Sequence, residues 1–395
     1  MTRVAFASEE GGVLVHDLAT GARQDLSAGH RHAVEPGSGV VDNWPTWSSD
    51  GKRVAFVRLE THSGHVQRAG VWVVDVDASS SAEVYSAHDA APIYLAWSPN
   101  RERLGVLVQL GNTLALRVVD ARTPRTAVTV AQGNPLYFAW CADSQTIMAH
   151  IGSRGVNAAT MRLVLIRLRA GSAVRETIAD APAPGFRAPA WSTFDNAGTF
   201  AFDRDAGAEI AIQAGPDAPA RPIVATGPAP AFAWGPNGQT LAFAARESAE
   251  PGPYRGLAVV PALGGEARTL TDEPLMAFFW CPDGTRLVFC GADVAGRTVH
   301  IQTVAVGTGE LTDLGWVRPS RDFWFLLNHF DQYARSIALV SADSVHIVLA
   351  AAHAKESENG VVPTVRQVLA RPVSGEAKDL VVGRGRTACW APVEA

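Results

Sequence analysis

The sequence predicts an all-β fold, a single closed β-propeller of four-stranded antiparallel blades, and three observations predict it. A tryptophan-centred strand, a tight polar turn and a hydrophobic strand recur in that order along all 395 residues. Successive marker tryptophans lie 43 to 51 residues apart, the period of a radially repeated unit. The two ends of the chain read as parts of one such unit.

The clearest copies run from Trp47 to Phe56, Trp234 to Phe243 and Trp280 to Phe289, and further markers stand at Trp97, Trp140 and Trp191. Asp50-Gly51, Asn237-Gly238 and Asp283-Gly284 supply the positive φ of two-residue hairpins, so these acidic residues are expected to serve turns rather than catalysis. Each unit continues into a third strand, as in 73–77 and 118–122, then a short fourth, as in 268–270. A degenerate copy at 336–349 lacks its tryptophan. The last copy is split: strand a at Thr387-Pro392 is completed by strands b to d at Arg3-Leu26, a closure that leaves no blade edge unpaired. Eight blades in one domain, 1–395, are expected, with seven as the alternative.

Hydrophobic content of 47% against 18% charged residues fits a well-buried β protein. A net charge of −5 without a basic run argues against nucleic-acid binding, and no stretch is apolar enough to span a membrane. A strand pattern from Val4 leaves no room for a secretory signal, so a cytoplasmic protein is expected. Cys141, Cys281, Cys290 and Cys389 lack metal-ligand spacing and read as buried thiols.

Sites on such a ring gather where loops meet, taken as the end carrying the d–a and b–c loops and the channel mouth there. Eight of eleven histidines map to it. His30, His32, Asp42, His62 and His65 offer imidazole and carboxylate groups for a divalent metal; no other cofactor is suggested. Residues just before the markers, Asn43, Tyr94, Tyr137, Arg187 and Arg386, can meet a polar or anionic ligand or brace neighbouring loops. An aromatic insertion at 315–333, with Trp324, His329 and Tyr333, precedes the degenerate strand a and is expected to pack over the mouth as a lid or to offer a partner site.

No nucleophile elbow, P-loop, dinucleotide fingerprint, H-E-x-x-H or calcium loop occurs. The Trp-Ser-x-Asp-Gly phrase at Trp47–Phe56 resembles the TolB-type, WD-like propeller repeat and the propeller domains of the tricorn protease and dipeptidyl-peptidase families. The resemblance covers the whole chain. It implies a stand-alone propeller of a kind that binds proteins or gates a neighbouring enzyme. TolB's export signal and extra domain, and the peptidases' hydrolase domain, are not expected here, so no catalytic residue is expected to carry over. The expected function is a protein- or peptide-binding module acting through the loop face. The alternative is a small-molecule enzyme (lyase, isomerase or cyclase) using histidines as acid, base or metal ligands.

Overall fold

The computed structural model describes residues 3–28, 37–78, 80–123, 127–152, 162–169, 172–180, 190–192, 199–204, 208–215, 217–248, 252–293, 297–353, 367–375 and 378–392. Five separate four-stranded antiparallel sheets follow one another along the chain, spanning 38–87, 91–133, 136–180, 190–225 and 231–275, each in simple up-and-down order. The remaining strands form one ten-stranded sheet that runs from Ala277–Trp280 through Leu380–Trp390 and on into Arg3–Ser8, Val13–Asp17 and Arg23–Asp25. Val4 pairs with Trp390, Ala5 with Cys389, Phe6 with Ala388 and Ala7 with Thr387. The two chain ends therefore share a sheet, as the split repeat predicts.

The polar turn differs in detail from a two-residue hairpin. Strand a ends at Trp47 and strand b begins at Arg53, so five residues connect them. Ser48 Oγ donates to Asp50 Oδ1 and accepts from the Arg53 N–H, while Asp50 Oδ1 accepts from the Lys52 N–H. Asp50 is thus a turn carboxylate. Burial raises its pKa, but the bonds from Ser48 and Lys52 and the charge of Arg101 outweigh it and leave the pKa low. Ser98 with Asn100 and Ser341 with Asp343 rebuild the same loop. Gly51, Gly238 and Gly284 take positive φ there, and Arg101, Ser144 and Ser344 take it where glycine is absent.

The marker tryptophans join neighbouring sheets. Trp97, Trp140, Trp191, Trp234 and Trp280 each donate the indole N–H to the carbonyl of the residue preceding the previous marker: Thr46, Ala96, Ala139, Ala190 and Ala233, at 2.9 to 3.2 Å. This geometry explains why tryptophan recurs once per unit. It is long enough to pack across a sheet and still carries a donor. Gly105 lets the sheets approach, since a Cβ there would lie 2.6 Å from the Phe138 ring.

The aromatic insertion does not precede the degenerate strand a; it interrupts it. The strand Leu311–Pro319 crosses into the next unit by pairing Val317, Arg318 and Pro319 with His353, Ala352 and Ala351, and Ser320 N–H continues the ladder onto Ala350 O. The chain then leaves, and returns with Leu339 O accepting from Val348 N–H and Val340 bridging Ile347. Between these halves stand two short helices, α1 (Arg321–Asn328) and α2 (Phe330–Tyr333). Ser320 caps α1 by accepting from the Phe323 N–H at 3.0 Å. Phe323, Leu326 and Leu327 fall on one face at i, i+3, i+4 and are buried. The residues at 315–319 are strand, so only the latter part of the predicted 315–333 segment is helical.

Candidate functional site

The helix pair lies across the inner strands of sheets far apart in sequence. Gln332, 1% exposed, accepts from the Phe138 N–H and donates to the Phe138 carbonyl, both at 3.0 Å. A side-chain amide carries donor and acceptor on separate atoms, so it can meet both backbone groups of one residue at once. Tyr333 donates its hydroxyl to Ile93 O and packs against Trp44 and Tyr94, with ring centroids 5.1 Å away in each case. Phe330 meets Tyr254, Phe278 and Phe279. Asp322 accepts from Asn43 Nδ2 and faces Arg386 Nη1 at 3.7 Å. Trp44 takes φ +55° where the register breaks between Asn43 and Thr46, and its ring also lies against Phe325.

Of the predicted mouth residues, Asn43, Tyr94 and Arg386 therefore gather at this helix pair, which plugs one end of the inner strands. Asn43 also accepts from Thr387 Oγ1, and Arg386 donates to Asp42 O. Tyr137 lies on the inner strand opposite His150, and Arg187 lies outside the described residues. Trp324 is half-buried on α1, and His329 bonds Phe325 O while its ring lies on Phe325.

The metal candidates are not assembled by the part that is described. His30 and His32 lie outside the described residues. Both oxygens of Asp42, itself fully buried, are taken by Arg58 at 2.8 and 2.9 Å. His62 faces His65 across a hairpin and meets Ser38 Oγ at 2.9 Å. Ser38 stands four positions from Asp42 along one strand, roughly 13 Å. Among the described residues no three His, Cys, Asp or Glu side chains group as a metal site.

The open space is at the other end of the inner strands. A cavity of about 640 Å³ is walled by Trp97, Trp140, Trp191, Trp234 and Trp280, with Tyr94, Phe138, Phe278 and Phe330 also lining it. Asp331, Arg335 and the returning segment 337–340 complete it. All five tryptophans are half-buried, whereas Trp47 and Trp390, which do not line it, are 7% and 3% exposed. Arg335 Nε donates to Asp331 O at 2.9 Å. Burial lowers the Arg335 pKa, with Tyr94 and Asp331 pulling the other way, and the guanidinium remains charged near neutrality. Tyr94, 2% exposed, has its hydroxyl beside Ser336 and Gln332 but makes no hydrogen bond of normal geometry. The marker tryptophans pointed to architecture; their half-open faces are the signal of a cavity that spacing alone could not separate from packing.

No family model matches the chain, and no curated protein matches it. Solved structures do. An oligogalacturonate lyase in complex with manganese is similar at TM-score 0.54 and 13% identity, covering 88% of this chain and 92% of that one. A prolyl endopeptidase is similar at 0.53 and 14% over 79% of this chain and 48% of its own. The β-propeller domain of the trilobed protease from Pyrococcus furiosus, described as an open velcro, is similar at 0.50 and 10% over 87% and 97%. At these identities the likeness concerns the fold: the chain has a propeller-type fold of four-stranded sheets.

Proposed function

We propose that this propeller-type chain is a closed ring of eight blades working as a binding module, its ligand entering the axial cavity from the a–b turn end. The eight-unit count is supported by five separate sheets plus three units within the ten-stranded sheet: 277–319, the interrupted strand with 346–384, and the seam of 385–390 with 3–25. Closure is supported by the five tryptophan bonds and by Asp283 N–H to Ser344 Oγ. On either side of the seam, Trp390 N–H bonds Ala338 O and Cys389 Sγ meets Pro45 O.

The observation that carries the binding reading is the asymmetry of the axis. One end is filled by α1 and α2, and the other opens into a cavity in the usual size range of ligand pockets. Ala338 is exposed and lines it, so Ala338→Trp fills the space without disturbing the core. Native mass spectrometry after exposure to cell extract should show a retained ligand on the wild type and none on Ala338→Trp. Equal retention by both places the ligand elsewhere, such as a protein or peptide on the plugged face, where Trp316 and Phe325 are 45% and 41% exposed.

An enzyme using loop histidines and a divalent metal is the second reading, favoured by the manganese-bound lyase among similar folds. Metal analysis of the purified protein without a stoichiometric transition metal removes that version.

A further inference from the structure

We propose that the axial cavity takes an uncharged aromatic molecule, seated against the five half-open tryptophans and carrying no ionised group into the space. The proposal rests on the binding reading above and names the ligand class of that same site.

Three features select this chemistry. The first is that the polar groups of the wall are already committed. Each of the five indole N–H groups donates to a neighbouring carbonyl. The two charged liners have opposite signs and are engaged within the protein: Arg335 Nε donates to Asp331 O, and both residues have further partners there. Ser192 is buried and likewise engaged, and the Tyr94 hydroxyl is sealed from the space. An ion entering here gives up its water and meets no group of its own to pair with, which is a costly exchange. The second feature is the residue before each marker. Alanine stands there at 96, 139, 190 and 233, and these four line the cavity, so the wall is set back beside half-open tryptophans. Where Thr46 and Cys389 hold that position, the following Trp47 and Trp390 are buried and line nothing. The third is the kind of apolar surface. Ile337, Leu339 and Val340 are the branched aliphatic liners, all on the returning segment, and the other large apolar side chains are rings. Ring on ring is worth more than the buried area alone, which favours an aromatic occupant over an aliphatic one.

The experiment uses two probes that brighten in apolar surroundings, N-phenyl-1-naphthylamine, uncharged at pH 7, and 8-anilinonaphthalene-1-sulfonate, the same skeleton with one negative charge. Titration of the wild type is expected to saturate at one amine per chain. Its affinity should exceed that of the sulfonate about ten-fold or more, the scale of a charge desolvated without a partner. Phenanthrene should displace the bound amine at concentrations where 1-decanol, apolar but without a ring, does not. Ala338→Trp, with its fold checked by circular dichroism, should lose the amine's emission. Ala338→Leu, a smaller intrusion, should weaken binding several-fold and decides the matter if the tryptophan variant folds poorly.

Sulfonate affinity equal to the amine's or higher, displacement by decanol as readily as by phenanthrene, emission unchanged in the folded Ala338 variants, or no binding of the amine overturns the proposal. Those outcomes leave the site reading intact as long as Ala338→Trp still abolishes retention of the ligand from extract. Retention by Ala338→Trp overturns the site itself.

Discussion

At the scale of single residues, chemistry and position combine to silence most of the reactive groups. The four cysteines are free and buried. Burial pushes the Cys281 and Cys290 thiols up to about 12 and raises Cys389 further. The folded state therefore holds these thiols neutral, while an unfolded thiol ionises near 9.0. Their contribution to stability is complete below that value and is lost as pH rises from there toward 12. Cys290→Ala should flatten the fall of unfolding free energy across that window by up to about 1.4 kcal/mol per pH unit, read by denaturant titrations at pH 8 to 11. An unchanged slope would mean the thiol titrates alike in both states. Cys141 and Cys281 stand where other copies have Ser48 or Gly235, and spacing alone could not say how deeply each sulfur lies.

At the scale of elements, the insertion is the part the repeat pattern described least well. Ser320 faces Ala350, and Leu339 faces Val348, so one residue suffices to bridge them opposite Leu349. Joining Ser320 directly to Ala338, with 321–337 removed, thus restores an unbroken strand a in register. The excised chain should keep its β-type circular dichroism and melt at lower temperature. The loss in stability has a clear source: Phe323, Leu326, Leu327, Phe330 and Tyr333 leave the core, each worth about 1.5–3 kcal/mol when fully buried. An excised chain without β signal would show that the plug, rather than the sheet, sets the register. The sequence marked this segment by its aromatic density; Phe323, Phe330 and Tyr333 pack inward, while Trp316 and Phe325 stay 45% and 41% exposed.

At the scale of the whole molecule, one seam joins first and last residues. Strand Arg3–Ser8 lies between Val13–Asp17 and the end of Leu380–Trp390, so removing the chain after Gly385 exposes a row of unpaired backbone groups. Such a truncation should elute as oligomers on size exclusion and melt well below the full chain. A monomer with an unchanged melting temperature would mean that contacts other than this strand pairing hold the two chain ends in place. Arg3 with Asp77, His16 and Arg23 with Val382 O, and Arg384 with Glu9 are among the described links beside the seam, and the Arg3–Asp77 pair is exposed.

The order of strands, the turn role of Asp50 and the pairing of the two termini were legible in the sequence, because each follows from local periodicity or from a motif repeated at fixed spacing, whereas the five-residue length of the turn was not. Trp47-Ser48-Ser49-Asp50-Gly51 carries its own turn wherever it is placed. Which end of the axis is open was decided only by the tertiary structure. That choice depends on Gln332 reaching Phe138, on Tyr333 reaching Ile93 and on Arg335 arriving among tryptophans from five other units. Contacts at such sequence separations leave no periodic trace, since each is made once.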